Sequence, residues 1–385
     1  MVQGISFAYA PLPPEVESLR SDVRRFLHEA SKDGLLAPSA EGGAVRFNRD
    51  FSRRLAAKGW IGMTWPRIYG GHERSHLERF IVNEELLFAG APLTAHFTAD
   101  RQSGPMLLKY ASEDIKRDIL PRICAGECTF SIGMSEPGSG SDLFAASSKA
   151  VPDGNGWRLS GRKVWTSTAH LADYMIGIFR TAPATRENRR HGLSQFLVDL
   201  SAEGISVNPI RYPSGDHHFN EVVLDDAFVP GDHLLGERDM AWRQATSELA
   251  YERSGPERFL ETIAVLVELV RILGETPDRY AAIGLGRLIA GLQTLRHMSV
   301  AVAGMLARGL EPATEASVVK DLGTAWEQAL PAIARDLAEG VGEPEARLRF
   351  EHALARAILI APKLTIQGGT TEILRGIIAR GLGLR

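Results

Sequence analysis

The chain has 385 residues, with 44 Lys and Arg set against 47 Asp and Glu, a formal charge of −3, and ordinary apolar (44%) and charged (24%) fractions. This composition describes a globular protein with two or three cores. Balanced charge, with basic runs as short as Arg189-Arg190, excludes a nucleic-acid partner; no apolar run is long enough to span a bilayer, so a cytoplasmic location is expected.

From Pro13 to Cys124 the pattern is helical. Val16, Leu19, Val23, Phe26 and Leu27 fall on one helix face, and further helices are expected near Phe51 to Lys58, His76 to Phe88, Pro105 to Tyr110 and Glu113 to Ile123. Trp60 and Trp65 lie in a loop among them and are read as packing residues. Cys124 and Cys128 lack the His pair or second Cys pair of a zinc site, so buried thiols are expected, with neither disulfide nor metal.

Between about Gly126 and Asp232 the period shifts to short apolar or alternating runs, such as Tyr174 to Phe179, Gln195 to Val198 and Glu221 to Leu224. Turn clusters at Pro152-Asp153-Gly154-Asn155-Gly156 and Pro213 to Asp216 separate them. That predicts a small β domain, barrel or sandwich, with Arg180 to His191 as an exposed hairpin tip. After Pro230 helices return, around Asp239 to Arg253, Pro256 to Leu273, Arg279 to Ala307, Glu315 to Ala338 and Pro344 to Leu359, a pattern that suits a bundle. Gly284-Leu285-Gly286 follows no strand and lacks the final spaced glycine, which rules out a dinucleotide fingerprint there. The expected fold is α+β and multidomain: an all-α domain over 1–125, a β domain over 126–232 and a four-helix bundle over 233–385.

The chain is organised around Gly133-Met134-Ser135-Glu136-Pro137-Gly138-Ser139-Gly140-Ser141-Asp142, followed downstream by Val164-Trp165-Thr166-Ser167. Dense glycines and hydroxyls let backbone N–H groups approach a phosphate or a flat ring closely. A Gly/Ser connector is the plainer alternative. Against it stand the neighbouring Trp165 and the run Gly368-Gly369-Thr370-Thr371-Glu372-Ile373.

Taken together, these stretches resemble the acyl-CoA dehydrogenase family. Gly133 to Asp142 with Ala145 is similar to its signature, Val164 to Ser167 to its flavin-covering strand, and Gly369 to Arg375 to its C-terminal motif; the likeness runs from about Pro14 to Arg380. The resemblance implies FAD as cofactor, an acyl-CoA substrate and an electron-transfer flavoprotein as acceptor. It further implies a homotetramer or homodimer in which the last domain makes the oligomer core. On this basis Ser135 and Ser167 would meet the polar edge of the flavin, Trp165 would cover one face, and Met134 and Thr166 would offer backbone groups. Ser141 would lie by the cofactor phosphates or the substrate, and Thr370 and Glu372 by the pyrophosphate or ribityl chain.

Dehydrogenation between Cα and Cβ of a thioester needs a base, a hydride acceptor and donors for the charge that develops on the thioester oxygen. Many family members carry the base just before the Gly-Thr of the C-terminal motif, where this chain has Gly368. A glycine takes no proton, but its N–H can serve the oxyanion, a role worth about 10²–10³ in rate. A second family subset places the base on the first helix of the last domain, which the resemblance assigns to Glu252. By residues alone, Glu252 is either an exposed helix glutamate in an i,i+4 pair or, since Ala241, Ala245 and Leu249 precede it at helical spacing, a carboxylate on an apolar stripe. The resemblance and the glycine at 368 select the base. Pro256, four residues on, predicts a kink there, and Arg253 is expected to contact the acyl-CoA tail or to pair with Glu257.

Two family segments that grip the adenosine half of FAD, Arg-x-x-Phe-Gly near Arg279 to Gly286 and Gln-x-x-Gly-Gly-x-Gly between Ala338 and Phe350, have no match. The sequence therefore also admits a half-site partner subunit in a hetero-oligomer. An oxidase or monooxygenase on the same fold, and an acyl carrier protein thioester in place of CoA, are further alternatives. The base on the neighbouring helix accompanies branched, long or cyclic acyl groups in the resembled family.

Overall fold

The structure is a computed structural model that describes residues 5–8, 11–36, 46–213, 215–245 and 253–384. Its elements in chain order are helices α1 (Pro14–Lys32), α2 (Arg49–Ala57), α3 (His76–Phe88), α4 (Gly104–Tyr110) and α5 (Glu113–Cys124). Strands β1 (Phe130–Gly133), β2 (Lys149–Asp153), β3 (Gly156–Ser167), β4 (Tyr174–Arg180), β5 (Leu193–Asp199), β6 (Ile205–Arg211), β7 (His217–Pro230) and β8 (Leu234–Leu235) follow. Helices α6 (Ile263–Leu273), α7 (Arg279–Ala307), α8 (Ala313–Leu337), α9 (Pro344–Leu364) and α10 (Thr371–Gly381) close the chain. The three sequence segments pack as two compact units, one of Phe47–Glu73 with Leu93–Glu248, the other of Met1–Arg46, Arg74–Pro92 and Leu249–Arg385.

In the first unit the described strands run in the order β6-β7-β3-β2-β4-β5-β8, with β1 parallel to β4. β2 pairs with β3 along its length but with β4 only at Lys149↔Arg180. This narrow junction lets the halves of the sheet close over one core of Trp157, Leu159, Met175, Phe179, Phe196, Val198, Val222, Leu224, Ala227 and Val229. On β3 alternate residues contribute, as a period of two requires, whereas β4 and β5 are buried on both faces. Helices α2, α4 and α5 belong to the same unit. Trp60 and Trp65 are buried there, and the Trp65 ring occupies the space a side chain at Gly104 would need. Cys124 and Cys128 are free, buried thiols, each pushed up to about 12 by burial.

In the second unit α1 buries Val16, Leu19, Val23, Phe26, Leu27 and Ala30, the face its periodicity marks out. Val16 meets Phe80 and Ile81 of α3 and Val300 and Ala303 of α7. The carboxylates buried beside this core are paired: Glu84 with Arg296 at 2.6 Å and Arg20 at 3.0 Å, and Glu85 with Arg24 at 2.7 Å. Removing one partner of such a cluster leaves a buried charge uncompensated. Helices α6 to α9 form the bundle.

One helix starts later than the periodicity suggests. The helix expected from Pro256 begins at Ile263, and Pro256–Arg258 is a separate 3-10 turn entered through extended Gly255. Pro256 lacks an N–H, so it sits comfortably at the first position of that turn. The buried Glu327 of α8 then accepts from the Thr262 N–H at 2.9 Å, which fixes where α6 starts. The expected kink is thus a full break, with non-helical backbone at Ser254 and Gly255.

Candidate active site

The Gly/Ser stretch leaves β1 at Gly133 and forms a loop closed on itself. Glu136 N–H donates to the Ser139 carbonyl at 2.7 Å, Ser139 N–H returns to the Glu136 carbonyl at 3.0 Å, and Ser139 Oγ donates to the Asp142 carbonyl at 2.9 Å. Gly138 and Gly140 have open space where a Cβ would stand. Ser141 is exposed, Ser135 is half-buried, and the Met134 side chain packs on Ala146, Ile178, Leu193 and Ala241. Met134 therefore anchors the loop by its side chain.

The Trp165 segment stands beside the loop root, since Val164 N–H donates to the Ser135 carbonyl at 3.0 Å. Along β3 the register runs from Lys163↔Val222 to Thr166↔Asn220, so Val164 and Trp165 oppose Glu221 alone. That is a β-bulge, a device that re-aims a side chain. Trp165 takes φ 58°, unusual for a bulky residue, and its indole stands 58% exposed with the Phe219 ring at its edge. Because of the extra residue, Lys163 and Thr166 both point inward. The buried Asn220 amide donates to the Thr166 carbonyl at 3.0 Å, while its oxygen takes His217 Nε2 at 2.8 Å and His170 Nδ1 at 3.1 Å.

The Thr166 hydroxyl is buried and has no hydrogen-bond partner among the described residues. Buried polar atoms are rarely left so. An exposed indole, an orphaned hydroxyl and an open glycine loop joined at Ser135 and Val164 fit a flat, polar-edged group with a phosphate tail, as FAD is.

The second unit holds the other predicted residues. Past α9 the chain turns through Gly368 (φ 71°) and Gly369 (φ 107°), conformations that favour glycine. Arg253, 4% exposed, donates from Nε to the Gly368 carbonyl at 3.0 Å. A Cβ on Gly368 would lie 3.1 Å from Nη2 of Arg258, itself 2% exposed. The Gly368 N–H finds no acceptor among the described residues. Thr370 caps α10, accepting from Ile373 N–H at 3.4 Å. Glu372 is exposed in the first turn, where its own backbone N–H and the Thr370 hydroxyl hold its carboxyl below the usual range. Glu252 lies outside the described residues.

Three family models match the chain: acyl-CoA dehydrogenase N-terminal domain at 13–127, middle domain at 131–227 and C-terminal domain at 277–383. Acyl-CoA dehydrogenase IpdE1 of Mycobacterium tuberculosis (strain ATCC 25618 / H37Rv) is 34% identical over 385 residues, covering 96% of this chain and 98% of the relative. The chain belongs to the acyl-CoA dehydrogenase family. It is an oxidoreductase acting on acyl-CoA, and a flavoprotein with FAD as its cofactor. Two solved structures are similar over their full length. A structure titled "Tcur3481-Tcur3483 steroid ACAD" has TM-score 0.84 and 26% identity, with 99% of this chain covered. The ChsE4-ChsE5 complex from Mycobacterium tuberculosis has TM-score 0.83 and 28% identity, with 98% of this chain covered.

Around the acyl-CoA dehydrogenase motifs the structure adds residues that the motifs did not mark: Lys163, buried against Glu136; Asn220, which holds the Thr166 carbonyl; and Arg258, beside Gly368. Lys163 stands among Arg158, Ser160 and Arg162 on a strand of mixed polarity, so local sequence carries no signal for it. The other two depend on partners far along the chain.

Proposed function

We propose that this acyl-CoA dehydrogenase takes a ring-bearing or branched acyl-CoA to its trans-2-enoyl-CoA with Glu252 as the base. The observation that carries the proposal is at Gly368. Where many relatives hold a carboxylate, this chain has a left-handed glycine with the guanidinium of Arg258 beside it and Arg253 on its carbonyl, so the proton must be taken from elsewhere. Glu252, one residue before Arg253, is the carboxylate nominated by sequence.

In this scheme Glu252 removes the Cα proton, and the electron pair left on Cα forms the new double bond as hydride leaves Cβ. FAD, when bound, accepts that hydride. The Gly368 N–H carries charge developing on the thioester oxygen, while Arg253 holds the carbonyl of the same residue. Trp165 excludes water from one face of the cofactor seat, and Ser135, Thr166 and Ser167 supply hydroxyl and backbone donors to its polar edge. Ser141 takes phosphate oxygens, and Thr370 and Glu372 border the tail of the cofactor from the cap and first turn of α10. An electron-transfer flavoprotein then receives the electrons.

A ring-bearing acyl group is favoured by the name of the steroid-acting structure, 26% identical to this chain. The two-chain names of both structures, joined to the missing adenosine-gripping segments, favour a second reading in which the chain is one subunit of a hetero-oligomer and supplies part of each flavin site. Anaerobic mixing with straight, branched and polycyclic acyl-CoA thioesters tests the first reading: polycyclic or branched substrates should bleach the flavin fastest, and Glu252→Gln should retain FAD while losing bleaching. Bleaching by the variant at the original rate removes Glu252 from the mechanism. A chain purified alone with near-full flavin occupancy disfavours the second.

A further inference from the structure

We propose that Lys163 is a positioning residue for the cofactor seat, fixing the Gly133 to Asp142 loop against the bulge that presents Trp165 and Thr166. This deepens the flavin assignment above and rests on it. Lys163 is 0% exposed, and its ammonium donates to Glu136 Oε1 at 2.7 Å and to the Ile178 carbonyl, with the Phe179 ring centroid 4.7 Å away.

Glu136 spends its remaining oxygen capacity on the far end of the same loop. Ser147 N–H and Oγ donate to it at 2.7 and 2.9 Å, and Ser148 N–H at 3.1 Å. One carboxylate therefore ties the beginning of the loop to its end, and one lysine ties that carboxylate to β3. Arg180 reinforces the closure, donating to the carbonyls of Phe144 at 2.9 Å and Ala146 at 3.0 Å.

The place of Lys163 on its strand makes the tie consequential. The next residue, Val164, hydrogen-bonds the Ser135 carbonyl, and the extra residue of the bulge lies between Lys163 and Thr166. Loop and indole thus share one root. Burial raises the Glu136 carboxyl, but Lys163 and the serine donors outweigh it and hold it at about 2, while burial lowers the Lys163 ammonium against the pull of Glu136. A buried ion pair is close to neutral in stability against an apolar pair of like volume. Pose, rather than stability, is what the pair supplies.

The test compares wild type, Lys163→Met, and the charge-free pair Glu136→Gln/Lys163→Met. Deflavinated protein is titrated with FAD, and the visible absorption of the loaded form and the melting temperature are recorded alongside. Lys163→Met should bind FAD about tenfold or more weakly with displaced flavin bands. The double variant, which leaves no unpaired buried charge and so folds even where the single does not, should regain melting temperature without regaining FAD affinity. Wild-type FAD affinity and bands in the double variant, with or without a lower melting temperature, overturn the inference. A wild-type chain that binds no FAD, either alone or co-purified with the second subunit of the hetero-oligomer, overturns the flavin assignment itself, and this inference with it.

Discussion

Substitution at Trp165 separates backbone strain from ring contact. The left-handed backbone at φ 58° costs a residue bearing a Cβ about 1–2 kcal/mol. Alanine retains that cost, whereas glycine removes it and loses about 0.5–1 kcal/mol through the freedom of the unfolded chain. Either change gives up the edge contact with Phe219, centroids 5.8 Å apart, worth about 0.5–1.5 kcal/mol; an indole already 58% exposed surrenders little else. Trp165→Ala should therefore unfold in urea about 1 kcal/mol below wild type, and Trp165→Gly within about half a kcal/mol of wild type. Both should bind FAD about tenfold more weakly in a titration of the deflavinated protein. Alanine as stable as glycine refutes the strained bulge, and unchanged FAD affinity refutes the ring as a cover for the cofactor.

Burial and the nearby Glu261 carboxylate hold the Glu327 carboxyl up at about 8. The folded chain then keeps a proton that the unfolded chain has released between about pH 4.5 and 8, so this group's contribution falls as pH rises across that window, by at most about 1.4 kcal/mol per pH unit. The stability of Glu327→Gln relative to wild type should accordingly grow from pH 5 to pH 8 in urea titrations, and a flat difference refutes the assignment. Restoring a carboxylate at 368 should fail: Gly368→Glu adds a Cβ at φ 71° beside Arg258, whose guanidinium would pair with the acid and weaken it as a base. The double variant Glu252→Gln/Gly368→Glu should not bleach its flavin with any acyl-CoA that wild type oxidises; recovered bleaching shows that the site accepts a base at 368.

Local signals carried most of the fold. The α1 face follows from spacing alone, and the strands of the middle segment follow from alternation and turn clusters, because both depend on residues close in sequence. The start of α6 was not legible, since Glu327 on a distant helix, rather than the nearby Pro256, decides where Thr262 is capped. The bulge at Trp165 is equally hidden. It is a difference in count between β3 and β7, and neither strand shows it by itself. The candidate residues inside motifs are nominated by local sequence, whereas Lys163, Asn220 and Arg258 meet partners that only the folded chain brings near. The expectation for Glu252 still rests on sequence.

Because Glu136 fastens Ser147 and Ser148 as well as Lys163, the segment from Pro137 to Ala146 is a side branch whose two ends are knotted together. Changes at its exposed tip, at Gly138 or Gly140, need not travel into the sheet. Such a layout lets the exposed tip drift in sequence while the sheet beneath it keeps its registration.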